Sequence, residues 1–251
     1  MQRFQDKVVV ITGGSSGIGL AAAQRFHAEG AKLVLFARSR GDLSRAAESI
    51  GEDVLTVAGD VASVTDVDRL YEEVRRSFGR VDVLVANAGM AEFVKASEVT
   101  EEHFDRLFRV NVRGAFFSVQ RALPLMGSGG SIVFITSVAN RSGPSHMSVY
   151  AATKAAVRSF ARTLATELVP LGIRVNAVSP GPTETAIHGK YAQGLSAEVL
   201  EQMSRETMPR LRLGRMARAE EVAAAIAFLA SSEASFVLGQ ELAVDGGISA
   251  L

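Results

Sequence analysis

The chain has no cysteine among its 251 residues. Disulfide bonds, thiolate zinc sites and cysteine nucleophiles are therefore excluded. Histidines are few and lack the i, i+4 spacing of a helical zinc site, so the sequence predicts no metal site. Ordinary surface or loop roles are expected for all four histidines: His27, His103, His146 and His188.

The chain also lacks a long apolar run and an excess of charge of either sign. The longest apolar run, residues 222–230, is far too short to span a membrane. Lysine plus arginine and aspartate plus glutamate number 27 each, a balance that gives no electrostatic signal for nucleic acid or an anionic membrane. The first residues lead directly into an apolar stretch without the layout of a signal peptide, so a cytoplasmic location is expected.

Short apolar runs rich in β-branched residues alternate with longer helical patterns. The runs are apolar almost throughout, which is typical of strands that are buried on both faces. The predicted strands are 7–12, 32–37, 54–58, 81–86, 131–137, 173–179 and 241–244. The predicted helices are roughly 17–29, 40–50, 63–79, 100–126, 149–170, 196–206 and 219–230.

This alternation predicts an α/β fold with a seven-stranded parallel, doubly wound sheet and helices on both faces. Each connecting stretch is long enough for the crossover that parallel strands need. The chain is 47% hydrophobic and 22% charged, which suits one domain spanning residues 1–251. A glycine-containing stretch at about 182–215 interrupts the rhythm and is predicted to form a lid or substrate loop.

A glycine cluster follows the first predicted strand and opens the first predicted helix. Its spacing is G-x-x-x-G-x-G, and its position permits a tight turn, close approach of a pyrophosphate and contact with the helix N-terminus. The alternative is a glycine-rich turn with no ligand. The residues predicted to bind a dinucleotide are Gly13, Ser15, Ser16, Gly17, Ile18 and Gly19.

The end of the second predicted strand bears on the choice between NAD and NADP. An acidic residue there binds the 2′-hydroxyl of the NAD ribose, but this chain has Ala37 at that place, followed by Arg38 and Ser39. Arg38 can pair with a 2′-phosphate, and such a charge-assisted bond contributes on the order of 1.5–3 kcal/mol. The sequence therefore favours NADP(H); in the alternative interpretation Arg38 and Arg40 lie on a solvated loop.

Four polar residues form a candidate catalytic set. Tyr150 and Lys154 have the i, i+4 spacing that places them on one helix face, where an ammonium would lower the pKa of the phenol. Ser137 ends the fifth predicted strand, at the edge where sites in open parallel sheets lie. Asn111 interrupts an apolar helical stretch, where a buried amide needs hydrogen-bond partners. Taken singly, an exposed Tyr–Lys pair and a surface asparagine remain alternatives.

Together these motifs resemble the short-chain dehydrogenase/reductase family, in family order from Lys7 to Gly247. The resemblance implies a single-domain Rossmann fold and a catalytic tetrad of Asn111, Ser137, Tyr150 and Lys154. In such a tetrad the tyrosine exchanges a proton with the substrate oxygen, and the serine orients that oxygen. The lysine lowers the tyrosine pKa and binds the nicotinamide ribose, and the asparagine holds a water that links the lysine to solvent.

The resemblance also implies further contacts and an assembly. Thr183 stands where the family usually has an aliphatic residue, which leaves its side-chain role open. Helices around 100–126 and 150–169 are similar to those that pair subunits, so a homotetramer is expected. The further residues expected to contact the cofactor are Asp60, Val61, Asn87, Ala88, Gly89, Pro180, Gly181, Thr183 and Thr185.

Within the family the chain looks most similar to bacterial NADP-dependent secondary-alcohol dehydrogenases, which implies a ketone or secondary alcohol as substrate. The main alternative is a 3-oxoacyl-[acyl-carrier-protein] reductase, which needs a basic rim for its acidic carrier. The presumed rim, residues 125–130, has no lysine or arginine, and Leu171 also stands where those reductases tend to carry a basic residue. A non-catalytic NADP-binding protein is the second alternative.

Apolar residues in the loops predict a hydrophobic small-molecule substrate. Arg141, Glu92 and His188 are candidates for an added polar contact. The alternative is that several of these side chains only pack the lid. The apolar candidates are Met90, Phe93, Met147, Ile187, Tyr191, Leu195 and Met203.

Overall fold

Seven parallel strands form the central sheet in the computed structural model of the chain, which describes residues 2–51, 53–185, 201, 205 and 207–249. The strands are β1 (Val8–Thr12), β2 (Lys32–Ala37), β3 (Val54–Ala58), β4 (Val83–Ala86), β5 (Ser131–Ile135), β6 (Arg174–Pro180) and, after two short strands, β9 (Glu241–Val244). Their order is β3-β2-β1-β4-β5-β6-β9, and every neighbouring pair is parallel. The predicted doubly wound sheet is confirmed.

The helices that connect the strands pack on both faces of the sheet. The longer helices are α1 (Gly17–Ala28), α2 (Arg40–Ile50), α3 (Val64–Phe78), α4 (Glu101–Phe108), α5 (Gly114–Ala122), α7 (Ser148–Leu168) and α8 (Ala219–Ala230). A four-residue helix, α6 (Ala139–Ser142), lies between β5 and α7. Within the described residues, no helix is long and apolar enough to cross a membrane.

The core has two layers, one on each face of the sheet. In β1, Val8 and Val10 pack into the layer that includes α3, α5 and α7, whereas Val9 and Ile11 pack into the layer that includes α1 and α8. Successive side chains of a strand point to opposite faces. A strand that is apolar at every position is therefore buried on both sides, which explains the continuous apolar runs of the sequence.

One predicted helix is divided in the structure. The stretch expected as a single helix at 100–126 consists of α4, a π-helical segment Arg109–Arg113, α5 and a 3₁₀ turn Leu123–Leu125. Asn111 lies at the centre of the π-helical segment and is buried. Such segments are rare and frequently lie at functional sites, and periodicity alone does not reveal them.

The predicted lid at about 182–215 lies only partly among the described residues. Its first residues form β7 (Thr183–Glu184), which pairs in parallel with β8 (Ala217–Arg218). Near its end a 3₁₀ turn, Met208–Arg210, leads to Leu211, which is buried against Val138 and Ile248. The predicted helix at 196–206 lies mostly outside the described residues.

Candidate active site

A cleft of about 840 Å³ runs along the carboxyl ends of the strands, from the glycine loop to the end of β6. It crosses the point where β1 lies between β2 and β4, the switch point at which open α/β sheets bind their ligands. The cleft is lined by most of the residues predicted from the sequence. Three of them do not line it and lie behind its wall: Gly17, Gly19 and Asn111.

The glycine loop approaches the end of β4 closely. A Cβ on Gly13 would lie 2.9 Å from both the Cα of Ala88 and the Nδ2 of Asn87, and Gly13 also has a positive φ of 66°. A Cβ on Gly19 would overlap the carbonyl oxygen of Gly13. These two positions therefore require glycine for close packing, which agrees with the predicted tight turn.

The N-terminus of α1 has the features of an anion site. Ser16 is its N-cap, and the Ser16 side chain makes no capping hydrogen bond. The first turn contains no acidic residue. Free backbone N–H groups and the positive end of the helix dipole thus face the cleft that Ser15, Ser16 and Ile18 line. This arrangement fits the pyrophosphate of a dinucleotide.

Arg38 directly follows strand β2. Its side chain is exposed and lines the cleft together with Ser39. Within the described part of the chain, Arg38 has no hydrogen-bond or ion-pair partner. The Ser39 hydroxyl accepts a hydrogen bond of 3.2 Å from the backbone N–H of Asp42 and so begins α2. The end of β2 therefore offers an unpaired guanidinium where the sequence predicts a 2′-phosphate site.

Asn87 joins the end of β4 to the glycine loop. Its Nδ2 donates hydrogen bonds of 3.0 Å to the carbonyl oxygens of Thr12 and Gly13. The Thr12 hydroxyl accepts from the backbone N–H groups of Asn87 and Ala88 at 3.1 Å. Asn87 thus shapes the loop with its side chain while it also lines the cleft. The part played by Thr12 was not predicted, although its place directly before Gly13 was a signal.

Tyr150, Ser137 and Lys154 meet in the cleft. The Ser137 hydroxyl lies close enough to the Tyr150 phenol to lower its pKa, and both side chains line the cleft. The Lys154 ammonium lies 5.8 Å from the centroid of the Tyr150 ring and donates a hydrogen bond of 2.9 Å to the carbonyl oxygen of Ile135. The predicted shared face of one helix is present, because both residues lie on α7. Ser137 lies two residues beyond the end of β5 rather than within the strand.

Burial dominates the acid–base properties of Tyr150 and Lys154. Desolvation in the cleft raises the pKa of the Tyr150 phenol, and the hydrogen bond with Ser137 lowers it in part. Burial lowers the pKa of Lys154, which is 5% exposed, to about 8. That Lys154 lowers the tyrosine pKa stays a prediction; its ammonium lies beside the Tyr150 ring while it donates to the Ile135 carbonyl.

Asn111 holds the wall behind Lys154. Its Oδ1 accepts from the N–H of Met90, and its Nδ2 donates to the Met90 carbonyl, both at 2.8 Å. The same Nδ2 donates to the Thr153 hydroxyl at 3.0 Å, and that hydroxyl donates to the carbonyl of Tyr150. Both N–H bonds of the amide are used, while Oδ1 keeps one lone pair toward Gly89, which Lys154 also borders. The role of Thr153 was not predicted.

The segment after β6 closes the cleft over the glycine loop. The side chain of Thr185 lies against Gly17, because a Cβ on Gly17 would be 3.2 Å from the Thr185 Cγ2. Thr183 is buried, and its hydroxyl donates a hydrogen bond of 2.9 Å to the Gly181 carbonyl. The sequence left the role of the Thr183 side chain open. In the structure this side chain stabilises the turn that begins with Pro180 and Gly181.

Comparison with known proteins agrees with this geometry. The sequence profile of the family described as Enoyl-(Acyl carrier protein) reductase matches residues 13–249. The oxidoreductase asL5 of Sarocladium schorii is 41% identical over 251 residues, covering 99% of this chain and 98% of its own. The cis-4-hydroxycyclohexanecarboxylate dehydrogenase of Sinomonas cyclohexanicum is 40% identical over 256 residues, covering 100% and 99%. The chain belongs to the short-chain dehydrogenase/reductase family. It is therefore an oxidoreductase of that family.

Solved structures of the family match over almost the whole chain. Levodione reductase superimposes with a TM-score of 0.93 at 34% identity, covering 98% of this chain and 99% of its own. The 3-ketoacyl-(acyl-carrier-protein) reductase of Brucella melitensis, complexed with NADH, has a TM-score of 0.87 at 35% identity, with coverage of 98% and 99%. The short-chain dehydrogenase/reductase fold and its nicotinamide cofactor thus agree with the cleft described above.

The substrate end of this short-chain dehydrogenase/reductase is lined mainly by apolar groups. Among the described candidates, Met90, Phe93 and Met147 line the cleft. Unpredicted lining residues on this side include Met208 and Met216. The remaining candidates lie outside the described residues: Ile187, His188, Tyr191, Leu195 and Met203.

Two polar residues expected to contact the substrate are occupied elsewhere. The Arg141 guanidinium pairs with the Glu241 carboxylate at 2.7 Å. The Glu92 carboxylate accepts from Arg106 at 2.7 Å and is bonded to the ring of His103 at 2.9 Å. Neither Arg141 nor Glu92 lines the cleft. His103 is also buried on α4, which corrects its predicted surface role.

The presumed carrier-protein rim does not border the cleft of this chain. Residues 125–130 and Leu171 precede β5 and β6, so they lie at the amino ends of these strands. The cleft lies at the carboxyl ends, and none of these residues lines it. The lack of basic residues there therefore says nothing about the entrance to this cleft. Arg210 is a basic residue that does line it.

Proposed function

We propose that the protein transfers a hydride between NADP(H) and a ketone or secondary alcohol, with Tyr150 as the general acid and base. The observation that carries this proposal is that Tyr150 and Ser137 lie close together in the same cleft as the glycine loop. Lys154 lies beside this pair with its ammonium buried. A phenol, a hydroxyl and an ammonium in this arrangement fit the reduction of a carbonyl group.

The residues have separate parts in the proposed reaction. The bound nicotinamide supplies or accepts the hydride. Tyr150 donates its phenolic proton to the carbonyl oxygen during reduction and takes a proton from the alcohol during oxidation. The Ser137 hydroxyl orients the same oxygen and stabilises the phenolate that remains. Lys154 contributes a positive charge beside that phenolate and binds the nicotinamide ribose, while the free lone pair of Asn111 holds a water next to Lys154.

The proposed preference for NADP rests on Arg38. Its guanidinium lines the cleft without a partner among the described residues, and the end of β2 carries an alanine where NAD-binding chains have an acid. A carboxylate at Ala37 would repel a 2′-phosphate, whereas Arg38 pairs with it. The cofactor seen with the related Brucella melitensis reductase is NADH, so the preference has to be measured.

The proposed substrate is a hydrophobic ketone. Met90, Phe93 and Met147 give the substrate end an apolar wall, and Arg210 and His146 add basic groups. Among the described lining residues, the acidic ones are Asp42 and Asp60, which follow β2 and β3 at the adenosine end. A cleft of this charge distribution accommodates a neutral or anionic ketone better than a cationic one.

Replacement of Tyr150 by phenylalanine tests the proposed function. We expect Tyr150→Phe to lower turnover of a ketone by about 10²- to 10⁴-fold, the usual contribution of a general acid or base. Binding of NADPH, measured by its fluorescence, should remain. The measurement is NADPH oxidation against ketones, aldehydes, sugars and acyl thioesters, including keto acids and their neutral esters.

Tyr71→Phe is the matched control. The Tyr71 hydroxyl donates to the Ser118 carbonyl at 2.7 Å and lies buried in the core, away from the cleft. We expect this variant to keep its turnover and to lose about 1 kcal/mol of stability with one buried hydrogen bond. Near-normal turnover by Tyr150→Phe, with NADPH bound, would refute the assignment of the acid and base.

Reduction of an acyl-carrier thioester is the second candidate function. The similarity to 3-ketoacyl-(acyl-carrier-protein) reductase and the basic Arg210 at the cleft favour it. A 3-oxoacyl thioester carried on its protein should then be reduced far faster than a simple ketone of equal chain length. Cofactor binding without turnover of any compound would instead favour a non-catalytic NADP-binding protein.

We also propose that the chain assembles as a homotetramer through α4, α5 and α7. Phe104 on α4 is 44% exposed and stacks on Phe108 with 4.5 Å between ring centroids. An exposed aromatic ring stacked on a half-buried one is typical of a surface that packs against another chain. The proposal takes its helices from the subunit pairing that the family resemblance implies.

A further inference from the structure

A buried carboxylate lies directly behind the segment that carries Ser137. The side chain of Glu241, on the edge strand β9, is 5% exposed. Its Oε1 accepts from the Thr136 hydroxyl at 2.6 Å and from the Asn140 Nδ2 at 2.7 Å. Its Oε2 accepts from Arg141, with the closest nitrogen at 2.7 Å, and forms an ion pair with the Nε of Arg158 at 3.1 Å.

These contacts make Glu241 the common partner of three separate parts of the fold. Thr136 follows β5, Asn140 and Arg141 belong to α6, and Arg158 lies on α7, the helix that also carries Tyr150. A buried carboxylate is costly unless it is paired and hydrogen-bonded. Here both oxygens are satisfied, one by neutral donors and one by two guanidinium groups. The carboxylate therefore links the end of β5 to α6 and to α7, the helix that carries the tyrosine.

The contacts of Glu241 hold the turn that contains Ser137. Thr136 immediately precedes Ser137, and Asn140 follows it by three residues. Glu241 therefore binds the turn on both sides of the serine. Within the turn, the Ser137 Oγ accepts from the N–H of Ala139 at 3.2 Å, and the Ser137 carbonyl accepts from the N–H of Asn140 at 3.1 Å. With its oxygen accepting from the backbone, the serine hydroxyl keeps its one hydrogen for donation within the cleft.

We propose that Glu241 is a positioning residue, which fixes the Ser137 hydroxyl relative to Tyr150 through Thr136, Asn140 and the two arginines. The proposal rests on the proposed function in that Ser137 and Tyr150 carry the chemistry. A neutral amide in place of the carboxylate keeps the size and the acceptor for Thr136. However, the amide N–H group would face the guanidinium groups of Arg141 and Arg158. Because donors would then face donors, the turn that contains Ser137 would loosen.

The first measurement compares Glu241→Gln with wild type in turnover of a ketone. We expect kcat to fall about 10- to 100-fold, the usual cost of misplacing a catalytic group, with the KM for NADPH within a factor of two. In the Ser137→Ala background, the same change should alter kcat less than twofold, because the group that Glu241 positions is gone. An unchanged kcat, or an equal loss in both backgrounds, would overturn the proposal.

Glu29→Gln is the matched control. Glu29 is also a buried carboxylate held by two arginines: Arg3 at 2.6 Å and Arg25. It follows α1, at the amino edge of the sheet and away from the cleft. Both variants should be less stable than wild type, but only Glu241→Gln should lose kcat. Equal losses of kcat would indicate a general effect of stability and would count against positioning.

A second readout needs no turnover and separates this proposal from the proposed function. The hydrogen bond with Ser137 lowers the pKa of Tyr150, so a displaced serine should raise that pKa. Ultraviolet difference titration, with Tyr150→Phe used to assign the signal, should show this rise in Glu241→Gln and no change in Glu29→Gln. If Glu241→Gln does not fold, Thr136→Val removes one of the contacts and should give a smaller rise. An unshifted titration in the folded variant would exclude positioning even if no substrate is found.

Discussion

At the scale of single residues, the charged side chains differ in whether the fold already pairs them. Glu241, Arg141 and Glu92 are all bound to other side chains of the chain. Arg38 has no such partner among the described residues. A charged group without a partner is the one that can bind a charged ligand at little cost, because no existing ion pair has to break.

Arg38 therefore gives a sharp prediction. We expect Arg38→Gln to weaken NADPH binding about 10- to 150-fold, the equivalent of one lost charge-assisted hydrogen bond, while NADH binding changes less than twofold. Arg40→Gln is the control, because Arg40 is equally exposed but does not line the cleft. Titration of both cofactors by fluorescence gives the ratio, and a ratio that is unchanged in Arg38→Gln would count against a 2′-phosphate site there.

Lys154 predicts a pH dependence of stability. Burial lowers its pKa from 10.5 to about 8, so between these values the folded chain holds fewer protons than the unfolded chain. Stability from this group is therefore lacking below pH 8 and rises as the pH increases toward 10.5. The full gain is about 3 kcal/mol at most.

Comparison with Lys154→Met isolates this effect. The melting temperature of wild type relative to the variant should rise between pH 7 and about 10, because methionine has no proton to lose. Above pH 10 the raised pKa of Tyr150 and of Tyr71 lowers the stability of both proteins, so this effect cancels in the comparison. A difference between the two proteins that stays flat from pH 7 to 10 would show that the Lys154 ammonium is not destabilised by burial.

At the scale of elements, the site depends on places where regular structure is interrupted. The π-helical segment Arg109–Arg113 separates α4 from α5 and places the Asn111 amide against Met90 and Thr153. The glycine loop similarly brings β1, α1 and the end of β4 within contact distance. Both features depend on close approach of backbone atoms, so small changes of volume should have large effects there.

Two glycine substitutions test this view of the loop. Gly19→Ala places a methyl group against the Gly13 carbonyl, so we expect a loss of about 1–3 kcal/mol of stability and weaker NADPH binding. Gly41→Ala is the control, because a methyl group on Gly41 in α2 meets no atom within 4 Å. It should be neutral or stabilise the protein by up to about 1 kcal/mol. Urea denaturation and NADPH titration measure both, and equal stability of the two variants would contradict the packing argument.

At the scale of the whole molecule, the assembly remains a prediction. Multi-angle light scattering should give four times the mass of one chain. Phe104→Ser should shift the assembly toward smaller species, because it removes the exposed partner of the stacked pair on α4. A monomeric mass at every concentration, with full activity, would exclude a tetramer as the working form.

The sequence by itself determined the elements and their layers, because continuous apolar runs and glycine spacing are local signals. It placed the seven strands within a few residues of their ends and brought Tyr150, Lys154 and the glycine loop to one edge of a parallel sheet. Only the tertiary structure decided the side-chain partners. Thr136 and Glu241 are 105 residues apart in the chain, and the pairing of Arg141 with Glu241 was not readable from either segment.

The same division between local signals and tertiary contacts explains why some sequence-based predictions had to be corrected. An acidic residue in the apolar strand β9 signalled a buried charge, but its partners depend on how α6 and α7 pack on the sheet. Residues 125–130 lie at the amino edge because of the direction in which β5 runs, a fact of topology rather than of composition. Local periodicity fixes which faces are buried, whereas the choice of contacts across those faces belongs to the packing of the whole chain.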